Sequence, residues 1–418
     1  MKYTFVSGII SGYQYSRIIN NSKGVVQFAA DALQKCYIEA ISKISGSNNF
    51  QVINLPYVGS FPQRSKIIFF KAEKSFYTIE NESILVNNSF FFNISGYKYF
   101  SRYYNCLKCL KRWARRFEDE EKIVFVYAVH TPFLMAAKKI KQRYKRIKII
   151  LIVPDLPDYM SENNSFFNYM LGKINRKILP NLYNVVDAYI VLTEQTKKIL
   201  PIGDKPSLVI EGIYNPRTDD LDNNGALLEK GLSDKRIVFY SGTLARRYGI
   251  MNLICAFRLL SNVNYRLIIC GDGNARDDVI QSSKEDNRII YYGSLERSIV
   301  LSLQRESTLL VNPRTPEGEY TKYSFPSKTM EYLASGTPTL IYKLPGIPDE
   351  YYKYCFSIDN DNTIECLARK IDEILCMSDD TLRDIGEKAR YFIIENKGPI
   401  QRSNDIKQLI NNLENDNL

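Results

Sequence analysis

Short runs of apolar, often β-branched residues recur along this chain, and each is followed by a stretch with helical periodicity. That alternation constrains the fold more than any other feature, because it calls for parallel sheets assembled from βαβ units. In the first half the strand candidates are Tyr3 to Val6, Gln51 to Asn54, Ile123 to Val129, Ile147 to Val153, Ala188 to Leu192 and Ser207 to Ile210. Helical patterns fill the gaps at Val25 to Ile44, Pro132 to Tyr144, Phe166 to Asn184 and Glu194 to Leu200, while Leu55 to Arg102 shows no clear period. A polar, turn-rich stretch between Tyr214 and Arg236 (NPRTDDLDNNG) interrupts the series. A second series follows: IVFYSG, a helix from Ile250 to Leu260, YRLIICGDG, RIIYYGS, TLLVNP, a further helix, and TPTLIYK. The 418 residues give room for two domains of roughly 200 each. The expectation is an α/β chain with two doubly wound domains, 1–213 and 214–399, facing each other across a cleft with ligands at the C-terminal strand ends. After Asp361 the pattern is helical to the end, with a break at Lys397, Gly398 and Pro399. The last helix, about 400–418, is expected to pack back on the first domain.

The formal charge of +10 favours a polyanionic partner. Much of the excess falls between Arg102 and Lys148, where NCLKCLKRWARRF and KKIKQRYKRIK interleave cations with bulky apolar residues. Such segments suit a membrane surface, a nucleic acid or simply a solvated helix face. No nucleic-acid-binding motif is found, so no nucleic-acid partner is expected. No apolar run reaches the roughly 18 residues of a membrane span, and the opening MKYTFVSGII has no long apolar core or cleavage site, so neither a spanning helix nor a signal peptide is expected. The eight cysteines are scattered, as suits a reducing cytoplasm. Cys106 and Cys109 form the one CxxC, without a second pair, so neither zinc nor redox chemistry is expected there.

Chemistry-bearing residues cluster at strand ends. In FPSKTMEYLASGTPTL (Phe325 to Leu340), Pro326 suits a first helical turn, and Lys328 and Glu331 stand three apart on one face near the helix N-terminus. A cation beside helix-terminal amides, with Ser327 among them, suits an anion, and a carboxylate one turn further suits sugar hydroxyls. The same spacing also makes an ordinary i,i+3 ion pair, with Gly336 as a C-cap. SGTLARRYG (Ser241 to Gly249) and CGDGN (Cys270 to Asn274) follow successive strands, so their amides, with Arg246 or Arg247 and Lys328, are placed to surround a diphosphate. His130, the single histidine, closes the strand KIVFVYAVH, and a structural and a functional role both fit it. Asp155 and Asp158, in VPDLPDYM, leave the next strand; they suit acceptor hydroxyls or plain turn chemistry. The DND at Asp359 to Asp361 is read as a helix cap rather than a metal site.

Taken together, YSGTLARRYGI, IICGDG, TLLVNP and FPSKTMEYLASGTPTL, with VVDAYIVLTE and VHTPFLMAA in the first half, resemble glycosyltransferases of the GT-B fold. The likeness is to retaining family four, which includes bacterial capsule, exopolysaccharide and O-antigen enzymes. It implies two Rossmann-like domains, the first binding acceptor and the second a nucleotide diphosphate sugar. It further implies that Glu331 binds the donor ribose, that Ala334, Gly336 and Thr337 shape its pocket, and that Gly242, Thr243, Gly271 and Gly273 lie along the donor. His130 would sit near the reacting centre, and Gly12, after the first strand, near the diphosphate. The sequence departs from the family at Tyr323, where many members have a glutamate, and at Thr243 and Tyr248, which stand where an arginine and a lysine are usual. Arg246, Arg247 or Lys328 would substitute.

The expected activity is metal-independent, cofactor-free transfer of a hexosyl or N-acetylhexosaminyl group to a polyprenyl-diphosphate-linked or glycan acceptor. Diphosphate departure would be stabilised by Lys328 and one of the two arginines. The expected location is cytoplasmic, on the inner face of the membrane, held by anionic head groups. A GT-B sugar nucleotide 2-epimerase and a catalytically silent sugar-nucleotide-binding subunit are the alternatives.

Overall fold

The computed structural model describes residues 1–24, 26–80, 82–156, 177–216, 231–232, 234–359 and 361–415. It divides into two units, Met1–Ile213 with Pro399–Leu418, and Tyr214–Gly398.

The first unit is built on β1 (Lys2–Ser7), β2 (Phe50–Asn54), β3 (Phe69–Phe70), β4 (Glu73–Ile79), β5 (Glu82–Asn88), β6 (Phe91–Phe92), β7 (Lys122–Tyr127), β8 (Ile147–Val153), β9 (Ala188–Val191) and β10 (Ser207–Val209). Its main sheet runs β10-β9-β8-β7-β1-β2-β5-β4. The central strands read as apolar runs because both faces are covered: Ile123, Phe125 and Tyr127 of β7 join one core while Val124 and Val126 are fully buried on the other side. Helices α1 (Tyr15–Asn21), α2 (Phe28–Ser45), α3 (Tyr97–Arg116) and α4 (Thr131–Arg143) include the crossovers. The C-terminal helix, Pro399–Asn415, packs on α2, and its Ile406, Leu409, Ile410 and Leu413 enter the same core at helical spacing. Its Arg402 makes a buried ion pair with Glu211 at 3.3 Å.

The second unit has one parallel sheet of β11 (Arg236–Ser241), β12 (Tyr265–Cys270), β13 (Ile289–Gly293), β14 (Leu309–Asn312), β15 (Thr339–Tyr342) and β16 (Phe356–Ile358), ordered β13-β12-β11-β14-β15-β16. The order reverses direction after β11, so the loop following that strand lies at a topological switch point. Helices Ile250–Arg258, Arg276–Glu285, Arg297–Glu306 and Ser327–Ser335 connect the strands.

Several elements differ from the sequence reading. The segment Leu55 to Arg102 holds β3 to β6 and the start of α3, and β4 pairs antiparallel with β5 at the sheet edge, so the first sheet is not wholly parallel. The β4 strand exposes alternate residues, as an antiparallel edge permits. The helix read at Val25 to Ile44 begins at Phe28. Helix 379–397 is separate from Ile364–Leu375, because Ser378 caps it by accepting from the Thr381 N–H. Thr363, not Asp359 to Asp361, caps the preceding helix; Asp361 accepts from the Thr363 amide and hydroxyl. Most of the helix read at Phe166 to Asn184 and most of the linker lie outside the described residues.

Candidate functional site

In the second unit, the loops leaving β11 and β12 are bonded to each other through backbone. The Leu244 N–H donates to Asp272 O at 2.9 Å, and Ala275 N–H to Leu244 O at 2.8 Å. This contact explains the glycines. A Cβ on Gly271, whose φ is 135°, would lie 1.9 Å from Gly242 O, and one on Gly273 would lie 2.4 Å from Leu244 O. Close approach of two loops therefore requires glycine here, whatever else binds. Thr243 is exposed, and its carbonyl accepts from the Tyr240 hydroxyl at 2.9 Å.

The helix after β14 starts at Ser327, with Pro326 as its N-cap rather than its first residue, and ends at Gly336 in the left-handed conformation (φ 82°). Ser327 is exposed at its N-terminus. The Lys328 ammonium meets Glu331 Oε1 at 2.5 Å, so the spacing-derived ion pair forms. Two further donors reach the same carboxylate from the helix Arg297–Glu306: Gln304 Nε2 to Oε1 at 2.7 Å, and Arg297 to Oε2 at 3.2 Å. Arg297 and Gln304 stand seven apart on one face of that helix. Burial pushes the Glu331 carboxyl up, but Lys328, Arg297 and the hydrogen bonds from Gln304 and Lys328 outweigh it and hold the group below the ordinary glutamate range. Glu331 is thus an ionised carboxylate held by three donors. With about four acceptor positions, it keeps capacity for a ligand hydroxyl. Thr337 is buried, and its hydroxyl donates to Gln304 O at 2.7 Å, tying the end of one helix to that of the other.

Of the paired arginines, Arg246 forms an ion pair with Asp278 on an open surface, and Arg247 lies against the rings of Tyr248 and Tyr320. An exposed pair contributes about 0–1 kcal/mol, so Arg246 is readily recruited by an anion. The sequence reading passed over Arg314, which follows β14. Its guanidinium is buried, stacks on Tyr320 with 4.6 Å to the ring centre, and donates to Ser324 Oγ at 2.7 Å. The sequence signal was only an arginine just past a strand end.

In the first unit, Gly12 is exposed after β1, and apart from its chain neighbours no atom of the described residues is within 4 Å of where a Cβ would stand. His130 is the N-cap residue of α4, packed among Tyr57, Tyr99 and Phe133. Arg102 donates to its Nε2 at 3.2 Å. A guanidinium has only protons to give, so Nε2 is the acceptor and Nδ1 carries the hydrogen. Burial, then the charges of Arg102 and Lys98, hold the imidazole well below the usual histidine range. Arg102, at the start of the basic region, is only 2% exposed. Asp155 leaves β8 as expected. Burial by the surrounding chain pushes its carboxyl up to about 6, although the side chain keeps surface open to water, which works against the shift. Asp158 lies outside the described residues.

Residues 229–392 match the family described as "Glycosyl transferases group 1". Solved structures of similar fold include a sucrose-phosphate synthase from Thermosynechococcus elongatus, 14% identical with a TM-score of 0.63 and covering 99% of each chain. Others are HepE of Anabaena in complex with UDP (15% identity, TM-score 0.62, 99% of this chain and 100% of that one) and the catalytic domain of starch synthase IV from Arabidopsis thaliana bound to ADP and acarbose (8%, 0.64, 99% of each). A comparison with curated proteins finds no match. The chain has the GT-B fold, with two Rossmann-like doubly wound units, and the match to glycosyl transferases group 1 falls within the second of them.

Proposed function

We propose that this chain is a retaining glycosyltransferase that moves a hexosyl or N-acetylhexosaminyl group from a nucleoside diphosphate sugar to a lipid-linked glycan acceptor, in capsule, exopolysaccharide or O-antigen synthesis. The observation that carries this reading is Glu331, an ionised carboxylate held by Lys328, Gln304 and Arg297 at the C-terminal edge of the second sheet, within the region that matches the glycosyltransferase family. The UDP and ADP in two of the similar structures support a nucleotide there.

In this reading Glu331 accepts hydrogen bonds from the ribose, while Lys328 and the first-turn amides of its helix face the phosphates. As the bond from sugar to diphosphate breaks, negative charge grows on the leaving oxygen. Lys328 with Arg246 or Arg247 offsets it, in place of a metal ion. The acceptor hydroxyl attacks on the face that the diphosphate leaves, and its proton passes to a phosphate oxygen. In this reading Asp155 orients that hydroxyl.

Membrane placement is supported by α3. Tyr97, Phe100 and Tyr104 are 49%, 60% and 59% exposed and lie on one stripe, which continues as Lys108, Lys111 and Arg115. An aromatic segment followed by cations suits the interface of an anionic bilayer at the inner face of the cytoplasmic membrane.

The test is calorimetry with a panel of nucleoside diphosphates and their sugars on the wild type and Glu331→Ala. One nucleotide should bind, and the substitution should weaken it at least tenfold. A folded protein that binds none of them refutes the reading. The second reading, a silent partner subunit, draws on Tyr323 in place of a glutamate. Donor hydrolysis without acceptor would exclude it.

A further inference from the structure

The first unit contains a pocket of about 520 Å³ whose cations the proposed transfer does not use. Four cations line it, Lys23, Arg64, Lys98 and Arg102, and none of its lining residues is acidic. Among the described residues, none of the four is within ion-pair distance of a carboxylate. Lys98 and Arg102 are the unusual members. They stand four apart on the inward face of α3 and are 9% and 2% exposed. Among the described residues neutral groups hold them: Val58 O and, at 3.4 Å, Ser60 Oγ for Lys98; Pro56 O and His130 Nε2 for Arg102. Two like charges removed from water without a counter-charge are costly, and buried charges are ordinarily paired. Burial draws the Lys98 ammonium well below its usual range and the Arg102 guanidinium down to about 10. Among the described residues two donors remain unused, Arg102 Nε and His130 Nδ1, both buried without a partner.

We propose that this pocket binds the phosphoryl group of the acceptor, as a phosphate or diphosphate ester, with Lys98 and Arg102 at its floor and Lys23 and Arg64 at its rim. The proposal rests on the reading of the first unit as the acceptor-binding half. A diphosphate rather than a carboxylate is indicated by the charge balance: one negative charge would leave the buried pair half uncompensated, whereas two or three match it and engage the rim. Tyr99, which lines the pocket, belongs to the same helix as the exposed Tyr97, Phe100 and Tyr104.

The test uses the full chain with three probes: inorganic pyrophosphate, a soluble hexose phosphate, and phosphatidylcholine vesicles with or without polyprenyl diphosphate. Pyrophosphate should bind and raise the melting temperature, and Lys23→Ala with Arg64→Ala, both at exposed positions, should weaken it at least tenfold. Glu331→Ala should leave that rim-sensitive binding intact while nucleoside diphosphate binding weakens at least tenfold. Lys98→Met should melt higher than the wild type without pyrophosphate and gain less on its addition. Retention on polyprenyl diphosphate vesicles alone identifies a lipid-linked source, and rim-sensitive binding of hexose phosphate without vesicle retention identifies a soluble one; either supports the pocket. If nucleoside diphosphate binds normally but no phosphate probe responds to the rim substitutions, the pocket proposal is overturned while the donor site stands. If the rim responds but no nucleotide binds, the donor reading fails instead.

Discussion

His130 is the one histidine of the chain, so its protonation can be read without ambiguity. The folded protein holds its imidazole neutral, by burial first and then by the Arg102 and Lys98 charges. In the unfolded chain the same ring takes up a proton near pH 6.5. Below that pH the unfolded state binds more protons than the folded one, so stability contributed by the neutral ring is complete above about 6.5 and is lost as the pH falls toward the folded value. Linkage gives the slope, about 1.4 kcal/mol per pH unit for one proton. Between pH 6.5 and 5.5, this residue alone should therefore cost about 1 kcal/mol. Carboxylates also titrate toward acid, so the measurement is a difference: urea unfolding of the wild type and of His130→Asn at pH 7.5, 6.5 and 5.5. The variant should lose less stability over the acid step, by about that amount. Nitrogen-15 spectra of histidine-labelled protein supply the direct reading, with Nδ1 protonated, Nε2 bare and no change from pH 8 to 6. A titration midpoint at or above 6.5, or the opposite tautomer, refutes the argument and with it the Arg102 to His130 hydrogen bond.

Lys328→Ala separates the two meanings of the Lys328–Glu331 pair: Lys328 is about a third exposed, so stability should change by less than about 1 kcal/mol, while calorimetry should show nucleotide affinity falling about tenfold. Equal binding with a large drop in melting temperature would make the pair purely structural. Gly271→Ala should destabilise the second unit by about 2–3 kcal/mol, since the new methyl would meet the Gly242 carbonyl at 1.9 Å in a backbone region closed to alanine, whereas Gly12→Ala should leave the melt unchanged. Arg402→Ala removes the guanidinium paired with the buried Glu211 carboxylate and should cost about 3–5 kcal/mol in denaturant unfolding, with Glu211→Gln in the same chain recovering part of the loss.

How far the fold could be read depends on how each segment meets solvent. The β7 and β8 strands are covered on both faces, so IVFV and IKIILIV declared themselves as unbroken apolar runs. The segment Leu55 to Arg102 did not, because β3 and β6 are two residues long and have no period, and β4 is a half-exposed edge. In the second unit Lys328 was legible as the partner of Glu331, since helical spacing brings them together, but Arg297 and Gln304 come from another helix and are joined only by the tertiary fold. The most instructive failure is α3. Polarity alone assigns its cations to water and its aromatics to the core, and Lys108, Lys111 and Trp113 follow that rule. Its first two turns invert it: Tyr97, Phe100 and Tyr104 face out, and Lys98 and Arg102 face in. No local preference favours such an arrangement, and burying two cations without a carboxylate costs stability that the apolar alternative would retain. A chain keeps a costly inversion where something outside it completes the balance. A phosphoryl group for the inward cations and a lipid surface for the outward rings would do so together, on two faces of one helix.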